Sequence, residues 1–225
     1  MFQYNPEFDI LNVYKPLNWT SFDVVNKMKF FIKKQEGKVL KIGHAGTLDP
    51  LATGVLIVCI GKATKKISEL QELSKTYTGK IFLGVTTPSF DLETELSEPI
   101  DIKHITKEII EQTALQFIGE QDQLPPIYSA VKINGKRAYE FARSGEEVVI
   151  LPKKITIHDF KVTQIHLPEI HFEITCSKGT YIRAIARDFG AKLNTVAHLS
   201  ELHRSAIGNY NAVDALKLET GPSKY

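Results

Sequence analysis

The sequence predicts an α+β fold, with antiparallel-looking strands interrupted by amphipathic helices rather than the strict alternation of a doubly wound sheet. Three observations carry this. Ile155 to His166 and Glu169 to Ser177 are two long strand-like runs joined by a turn at Pro168, Val55 to Ile60 is a continuous apolar run that reads as a buried strand, and segments of helical period fall between such runs.

The elements follow in order. A strand is expected around Ile10 to Tyr14. A helix follows from Ser21, capped by Thr20 with Asp23 three positions on, and Val24, Val25, Met28, Phe31 and Ile32 form its apolar face. The Val55 to Ile60 strand leads into a helix around Ala63 to Leu73 and then a strand through Gly79 to Val85. A helix around Lys107 to Phe117 begins after Thr106, with Ile105 and Ile110 placed as a hydrophobic staple. Thr180 is expected to cap a last helix whose Ile182, Ile185, Ala186 and Phe189 face the core.

With 225 residues, 43% of them apolar, the chain can bury a full core as one large domain or two small ones. Cys59 and Cys176 lie in apolar strand-like runs without the spacing of a disulfide framework or a metal site, so reduced thiols and a cytoplasmic address are the expectation. No charged and apolar leader precedes the first strand, and no apolar run approaches a bilayer span, so membrane roles are set aside. The seven histidines show no zinc spacing. Gly61-Lys62 resembles the end of a P-loop, but Leu56 stands where the earlier glycine is due and Ala63 where Ser or Thr is required.

The chemistry concentrates in residues 41 to 56, Lys-Ile-Gly-His-Ala-Gly-Thr-Leu-Asp-Pro-Leu-Ala-Thr-Gly-Val-Leu. Asp49 is the one carboxylate in this turn-rich loop. Gly43, Gly46 and Gly54 relieve backbone constraint, and Pro50 pushes Asp49 towards an extended conformation at the mouth of the buried strand. An isolated Asp-Pro commonly serves a turn. The whole string is more specific: it resembles the nucleophile loop of the TruB family of tRNA pseudouridine synthases, whose catalytic aspartate falls on Asp49. Four further segments resemble that family in order: Lys15-Pro16-Leu17-Asn18-Trp19-Thr20-Ser21, with Asn18 where glycine is usual; Ser74 to Gly79; Leu124 to Lys132; and Cys176 to Arg183. The resemblance covers roughly residues 9 to 217.

The resemblance implies a pseudouridine synthase fold with a mixed, mainly antiparallel central sheet. It implies one catalytic domain over 1–218, an RNA-contacting insertion at about 121–151 and a polar tail at 219–225. It implies an isomerase of tRNA uridine, at position 55 in the T loop, that needs no cofactor or metal. Asp49 would be the nucleophile or the base that draws off a ribose proton, Tyr77 the tyrosine that stacks on uracil and helps remove the C5 proton, and Arg183 the cation paired with Asp49. By position alone, Arg183 opposes the helix dipole in a first turn, which calls for a solvated stem or a buried carboxylate. His44 would fill the gap left by the flipped base. Leu202 would form an apolar pocket wall, Tyr181 a stacking face, and Lys15 a phosphate or loop contact. Where the family usually carries Arg, this chain has His203.

Net charge is only +2, so nucleic-acid binding has to be read from local clusters. Lys132, Lys136, Arg137 and Arg143 with Tyr128, Tyr139 and Phe141 surround an Asn134-Gly135 turn, which suits either a solvated surface hairpin or a basic, aromatic RNA contact. The resemblance favours RNA. Residues 84–91 depart from the family's Thr-Asp-Thr-x-Asp pattern and leave Asp91 as a structural anchor. A short segment at Ala212 to Leu218 stands where many relatives append a small RNA-binding domain, so a short form acting as a monomer on the T arm of tRNA, without a protein partner, is expected. Guide-RNA-dependent relatives carry that extra domain and a different sequence around the aspartate. The alternatives are a tRNA-folding chaperone without catalysis and a structural ribosome-associated protein.

Overall fold

The computed structural model describes residues 3–129, 132–133, 135–138, 140–141, 146 and 148–218. The chain divides into two compact units, one of residues 1–77 and 203–225 and the other of residues 78–202.

In the first unit, β1 (Phe8–Lys15) pairs antiparallel with β3 (Ala52–Gly61), Val13 lying opposite Leu56 and Lys15 opposite Gly54. The short β2 (Ile42–His44) pairs with the far end of β3, and β12 (Leu216–Lys217) runs parallel to β1. The strand order is β12-β1-β3-β10, where β10 spans Ala197–Ile207 and enters this unit at His203, and the short β11 (Tyr210–Asn211) turns back to pair with the end of β10. Strand β3 is buried on both faces, as its unbroken apolar run foretells. Leu56, Val58 and Ile60 pack with Val13 and with Val24, Val25, Met28 and Ile32 of α1 (Ser21–Glu36), while Val55, Ile57 and Cys59 pack with Ala45, Ala63, Leu70 and Ile207. Helix α1 starts on the expected capping box: the Thr20 hydroxyl accepts from the Asp23 amide, and the Asp23 carboxylate accepts from the Thr20 amide at 2.8 Å. Gly37 ends it in the left-handed conformation. The helix expected over 63–73 is two pieces, a 3₁₀ turn (Lys62–Lys66) followed by α2 (Ile67–Glu72).

The second unit orders its strands β10-β4-β9-β8-β5, with β4 at Lys75–Leu83, β5 at Gly119–Gln123, β8 at Lys153–His166 and β9 at Glu169–Cys176. The β8–β9 hairpin turns at Leu167-Pro168 as expected, and its pairing is antiparallel with two register shifts. Helix α3 (Lys107–Leu115) is capped by Thr106, with Ile105 and Ile110 both buried as a staple requires. Helix α4 (Ile182–Lys192) buries Ile182, Ile185, Ala186 and Phe189. Its N-cap is Tyr181 and not Thr180, whose hydroxyl donates instead to the Ser177 carbonyl at 3.0 Å. Phe117, Phe160, Phe172 and Phe189 form the aromatic centre of this unit, with successive ring centroids 5.6 to 6.2 Å apart.

A two-stranded hairpin, β6 (Lys132–Ile133) with β7 (Lys136–Arg137), stands where the basic hairpin was expected. Asn134, Tyr139, Arg143 and the tail at 219–225 lie outside the described residues. Both cysteines are buried and stand outside any disulfide, and burial pushes the Cys59 thiol up to about 11. Among the described residues no helix is long and apolar enough to cross a membrane.

Gly54 and Gly119 separate two costs of replacing glycine. Their φ angles are close, +110° and +113°, but a Cβ at Gly54 would lie 2.2 Å from the Arg204 carbonyl oxygen whereas nothing stands within 4 Å at Gly119. Gly54→Ala is therefore expected to lower the melting temperature by about 10 °C or more, and Gly119→Ala by a fraction of that; equal shifts in thermal unfolding would contradict the close approach.

Candidate active site

The loop that follows β2 carries Asp49 into a tight turn: the Ala52 amide donates to the Asp49 carbonyl at 3.0 Å, with Pro50 second in the turn, where its fixed φ is favoured. Asp49 is half-buried. The residues around it are held by side chains from three separate segments.

Arg204, on β10, is almost wholly buried, with 1% of its surface exposed. Its Nε donates to the Val55 carbonyl at 2.8 Å, Nη1 to Thr47 at 3.3 Å and Nη2 to Gly46 at 3.1 Å. One planar cation thus ties the first half of the loop to the start of β3. Ser21, the first residue of α1, exchanges two hydrogen bonds with Leu48, accepting from its amide at 2.9 Å and donating to its carbonyl at 3.2 Å. The Pro50 carbonyl accepts from the Asn18 amide at 2.9 Å and from Lys15 Nζ at 3.2 Å. Asn18 takes φ +62°, the left-handed conformation that its stand-in for glycine requires. Residues 46, 47, 48 and 50, on either side of the aspartate, are therefore all anchored through backbone groups.

Lys15 is fully buried, and its ammonium also donates to the carbonyls of Pro16 at 2.9 Å and Trp19 at 2.6 Å. Through Pro50 the ammonium touches the Asp49 loop. Desolvation lowers its pKa to about 8, with Arg204 acting in the same direction and the Asp49 and Asp23 carboxylates opposing. His44, on β2, is half-buried, and desolvation together with the Arg204 charge lowers its pKa, against the opposing pull of a backbone hydrogen bond with Gly46. Both effects favour the neutral ring, and its Nδ1 is buried without a hydrogen-bond partner. Tyr77 is buried on β4 in the same unit as Asp49. His203 Nδ1 lies 2.8 Å from the Thr53 hydroxyl, and its ring is tilted against that of Tyr14.

In the second unit Arg183 sits in the first turn of α4 and is buried, 5% exposed, which corrects the solvated-stem reading. Its Nε lies 3.4 Å from the Asp91 carboxylate, Nη1 donates to the Ser89 carbonyl at 3.0 Å and Nη2 to the Tyr128 carbonyl at 3.0 Å. Asp91 is itself buried and accepts from the Ser89 hydroxyl at 2.6 Å and from the Glu93 amide at 3.0 Å. The departure of residues 84–91 from the family pattern thus leaves the anchor intact. Phe90 between them has φ +60°, an uncommon conformation for a bulky residue, and the Arg187 guanidinium stacks over its ring. Tyr181 is tied through both backbone groups to the Gln123 side chain, and Leu202 is buried on β10. For Lys132, Lys136 and Arg137 the structure gives the hairpin backbone.

The roles of Arg204 and Ser21 were missed in the sequence, as was the pairing of the expected anchor Asp91 with Arg183. Arg204 carried one usable signal: it is two residues from Leu202 on a strand, so a buried leucine implies an inward side chain at 204.

The profile of the TruB family pseudouridylate synthase N-terminal domain matches residues 33–182. The chain belongs to the TruB family. It is 52% identical over 214 residues to the tRNA pseudouridine synthase B of Flavobacterium johnsoniae, covering 94% of this chain and 93% of that one. Identity to the tRNA pseudouridine synthase B of Phocaeicola vulgatus is 50% over 217 residues, covering 96% and 92%. Among solved structures, a chain of a Cbf5–Nop10–Gar1 complex superposes with a TM-score of 0.68 at 28% identity, covering 93% of this chain. A chain of an H/ACA ribonucleoprotein bound to a substrate RNA containing 2′-deoxyuridine gives 0.65 at 25%. This TruB-family chain spans about half the length of those two, 52% and 50%.

The buried ammonium sets a pH dependence. The folded state releases the Lys15 proton near pH 8, below the ordinary 10.5, so between those values the unfolded chain binds more protons and stability from this group rises with pH. Chemical denaturation of wild type and Lys15→Met across this window is expected to show an increment of about 3 kcal/mol that the variant lacks; parallel profiles would contradict a buried ammonium.

Proposed function

We propose that the protein isomerises uridine to pseudouridine in tRNA, at uridine 55 of the T loop. The single observation that carries this is Asp49 at the head of a turn whose neighbours are anchored by Arg204, Ser21, Asn18 and Lys15, in a chain half identical to proteins named tRNA pseudouridine synthase B.

The reaction breaks the N1–C1′ glycosidic bond, turns the uracil, forms the C5–C1′ bond, releases the C5 proton to solvent and places a proton on N1. Atoms and electrons balance within the nucleotide, so the chemistry itself calls for no redox group or phosphate donor. Asp49 either attacks the sugar carbon or removes a ribose proton to give a glycal. Tyr77 stacks on the base and assists loss of the C5 proton. Arg183 serves the Asp49 carboxylate, and the Asp91 network fixes its guanidinium plane. His44 enters the space left by the flipped base. A neutral ring suits that role, since it meets the bases without an ion's desolvation cost. Leu202 and Tyr181 line the base, and the β6–β7 hairpin with Lys132, Lys136 and Arg137 meets the RNA.

One catalytic domain spans residues 1–218 in this reading. It acts as a monomer on the T arm in the cytoplasm, and the protein partners named for the Cbf5 complexes belong to those assemblies. A folding chaperone without catalysis is the weaker reading, because the loop network fixes a reactive carboxylate that chaperoning alone does not require.

Release of tritium from uridine C5 in an unmodified T-arm stem-loop tests the reading. Wild type is expected to release it without added metal or nucleotide, Asp49→Ala and Asp49→Asn to release none above background, and Tyr77→Phe to slow release about 10²-fold while binding is kept. Binding without release by wild type would leave the chaperone in front.

A further inference from the structure

Between Lys27 and Lys41 the chain carries six lysines against one carboxylate, Glu36. This stretch holds a charge of +5 in a chain whose total is +2, so everything else sums to −3. Most of it lies on α1, whose inner face is fixed in the core by Val24, Val25, Met28 and Ile32. At about 100° per residue, Phe22, Lys33, Phe30, Lys34 and Lys27 fall in that order around the outer side of the helix, with Lys29 beside Phe22.

That outer arc is unusual in two respects. Phe22 and Phe30 are 62% and 70% exposed, large rings left in water on a helix that has already buried its apolar face. Lys27, Lys33 and Lys34 are exposed, and among the described residues neither they nor Lys29 pairs with a carboxylate. The acids of the helix that could neutralise them are occupied: Asp23 closes the capping box, and Glu36 accepts a 2.9 Å hydrogen bond from the Tyr4 hydroxyl. Lys29 Nζ lies 6.0 Å from the centre of the Phe22 ring, in reach of a cation–π contact.

We propose that the outer face of α1 is a second RNA contact, which holds the phosphate backbone flanking the target loop on its lysines and stacks an unpaired base on Phe22 or Phe30. The inference rests on the RNA reading proposed above. Unpaired lysines interleaved with exposed aromatic rings match the two needs of RNA, charge for phosphates and flat faces for bases. Placement agrees: the first residue of α1 bonds Leu48 beside the catalytic aspartate, and at about 1.5 Å per residue Lys27 to Lys34 stand roughly 9 to 20 Å further along the helix axis, beyond one nucleotide's reach. An anionic lipid surface would also attract the lysines, but a helix lying in a membrane needs a continuous apolar side, and here that side is buried in the core.

The test uses the full chain in two variants, Lys27→Gln/Lys33→Gln/Lys34→Gln and Phe22→Ala/Phe30→Ala. Affinity for unmodified full-length tRNA and for the isolated T-arm stem-loop is measured over a salt series, with tritium release from the stem-loop measured alongside. The lysine variant is expected to lose about 10-fold or more in tRNA affinity at moderate salt and to flatten the log–log salt slope by about 2. The phenylalanine variant is expected to lose about 5-fold or more with the slope unchanged. Both should keep stem-loop turnover at saturating RNA. Affinity and slope equal to wild type in both variants, with turnover kept, would overturn the α1 contact alone. Loss of tRNA affinity in the variants together with no tritium release by wild type would support the contact and overturn the synthase reading. Binding of wild type to phosphatidylserine vesicles, lost in the variants while tRNA affinity is unchanged, would overturn the contact in favour of a membrane face.

Discussion

The guanidinium of Arg204 is the interaction on which the site depends. The stretch from β2 to β3 carries three glycines and has little backbone preference of its own, and the carbonyl of fully buried Val55 needs a donor from within the protein. Arg204 solves both problems at once, because its rigid fork donates to Gly46, Thr47 and Val55 and so fixes the spacing between the loop and the start of β3. The charge has no carboxylate in direct hydrogen-bond contact among those three donations. It is met by carbonyl dipoles, and its field is felt by His44 and Lys15, both of which it pushes towards the neutral form. Gly54 closes the arrangement: only a residue without Cβ lets the Arg204 backbone approach the strand that its own side chain caps.

Much of the fold was legible because period and capping chemistry are local. The Thr20–Asp23 box, the Ile105–Ile110 staple, the buried β3 run and the β8–β9 hairpin all stand where the sequence puts them. The elements that were not legible are short or irregular. Strand β2 has three residues, and β5 reads Gly-Glu-Gln-Asp-Gln, a polar edge whose strand state comes from pairing with β8 and not from propensity. The shift of the α4 cap from Thr180 to Tyr181 has a similar origin, since the Gln123 side chain satisfies the Tyr181 backbone from a distant segment.

The same division holds at the site. The loop motif marks Asp49 in the sequence, but its supports are long-range contacts, 27 residues away for Ser21 and more than 150 for Arg204. A lysine in a Lys-Pro turn also looks like a surface residue until its burial is known. Lys15 instead directs its charge at three carbonyls inside the protein, unlike the exposed lysines on the outer side of α1. A near-neutral total charge concealed that second surface, because the acids of the remaining chain offset it.

Single-turnover pseudouridine formation by Arg204→Lys at saturating tRNA, set beside the Kd of the same complex, tests the dependence of the site on the loop anchor most directly. A lysine keeps the charge but cannot span three carbonyls. The rate of the chemical step is predicted to fall by about 10²-fold or more while Kd stays within about threefold. A folded variant whose rate stays near that of wild type would contradict the claim that this guanidinium sets the position of Asp49.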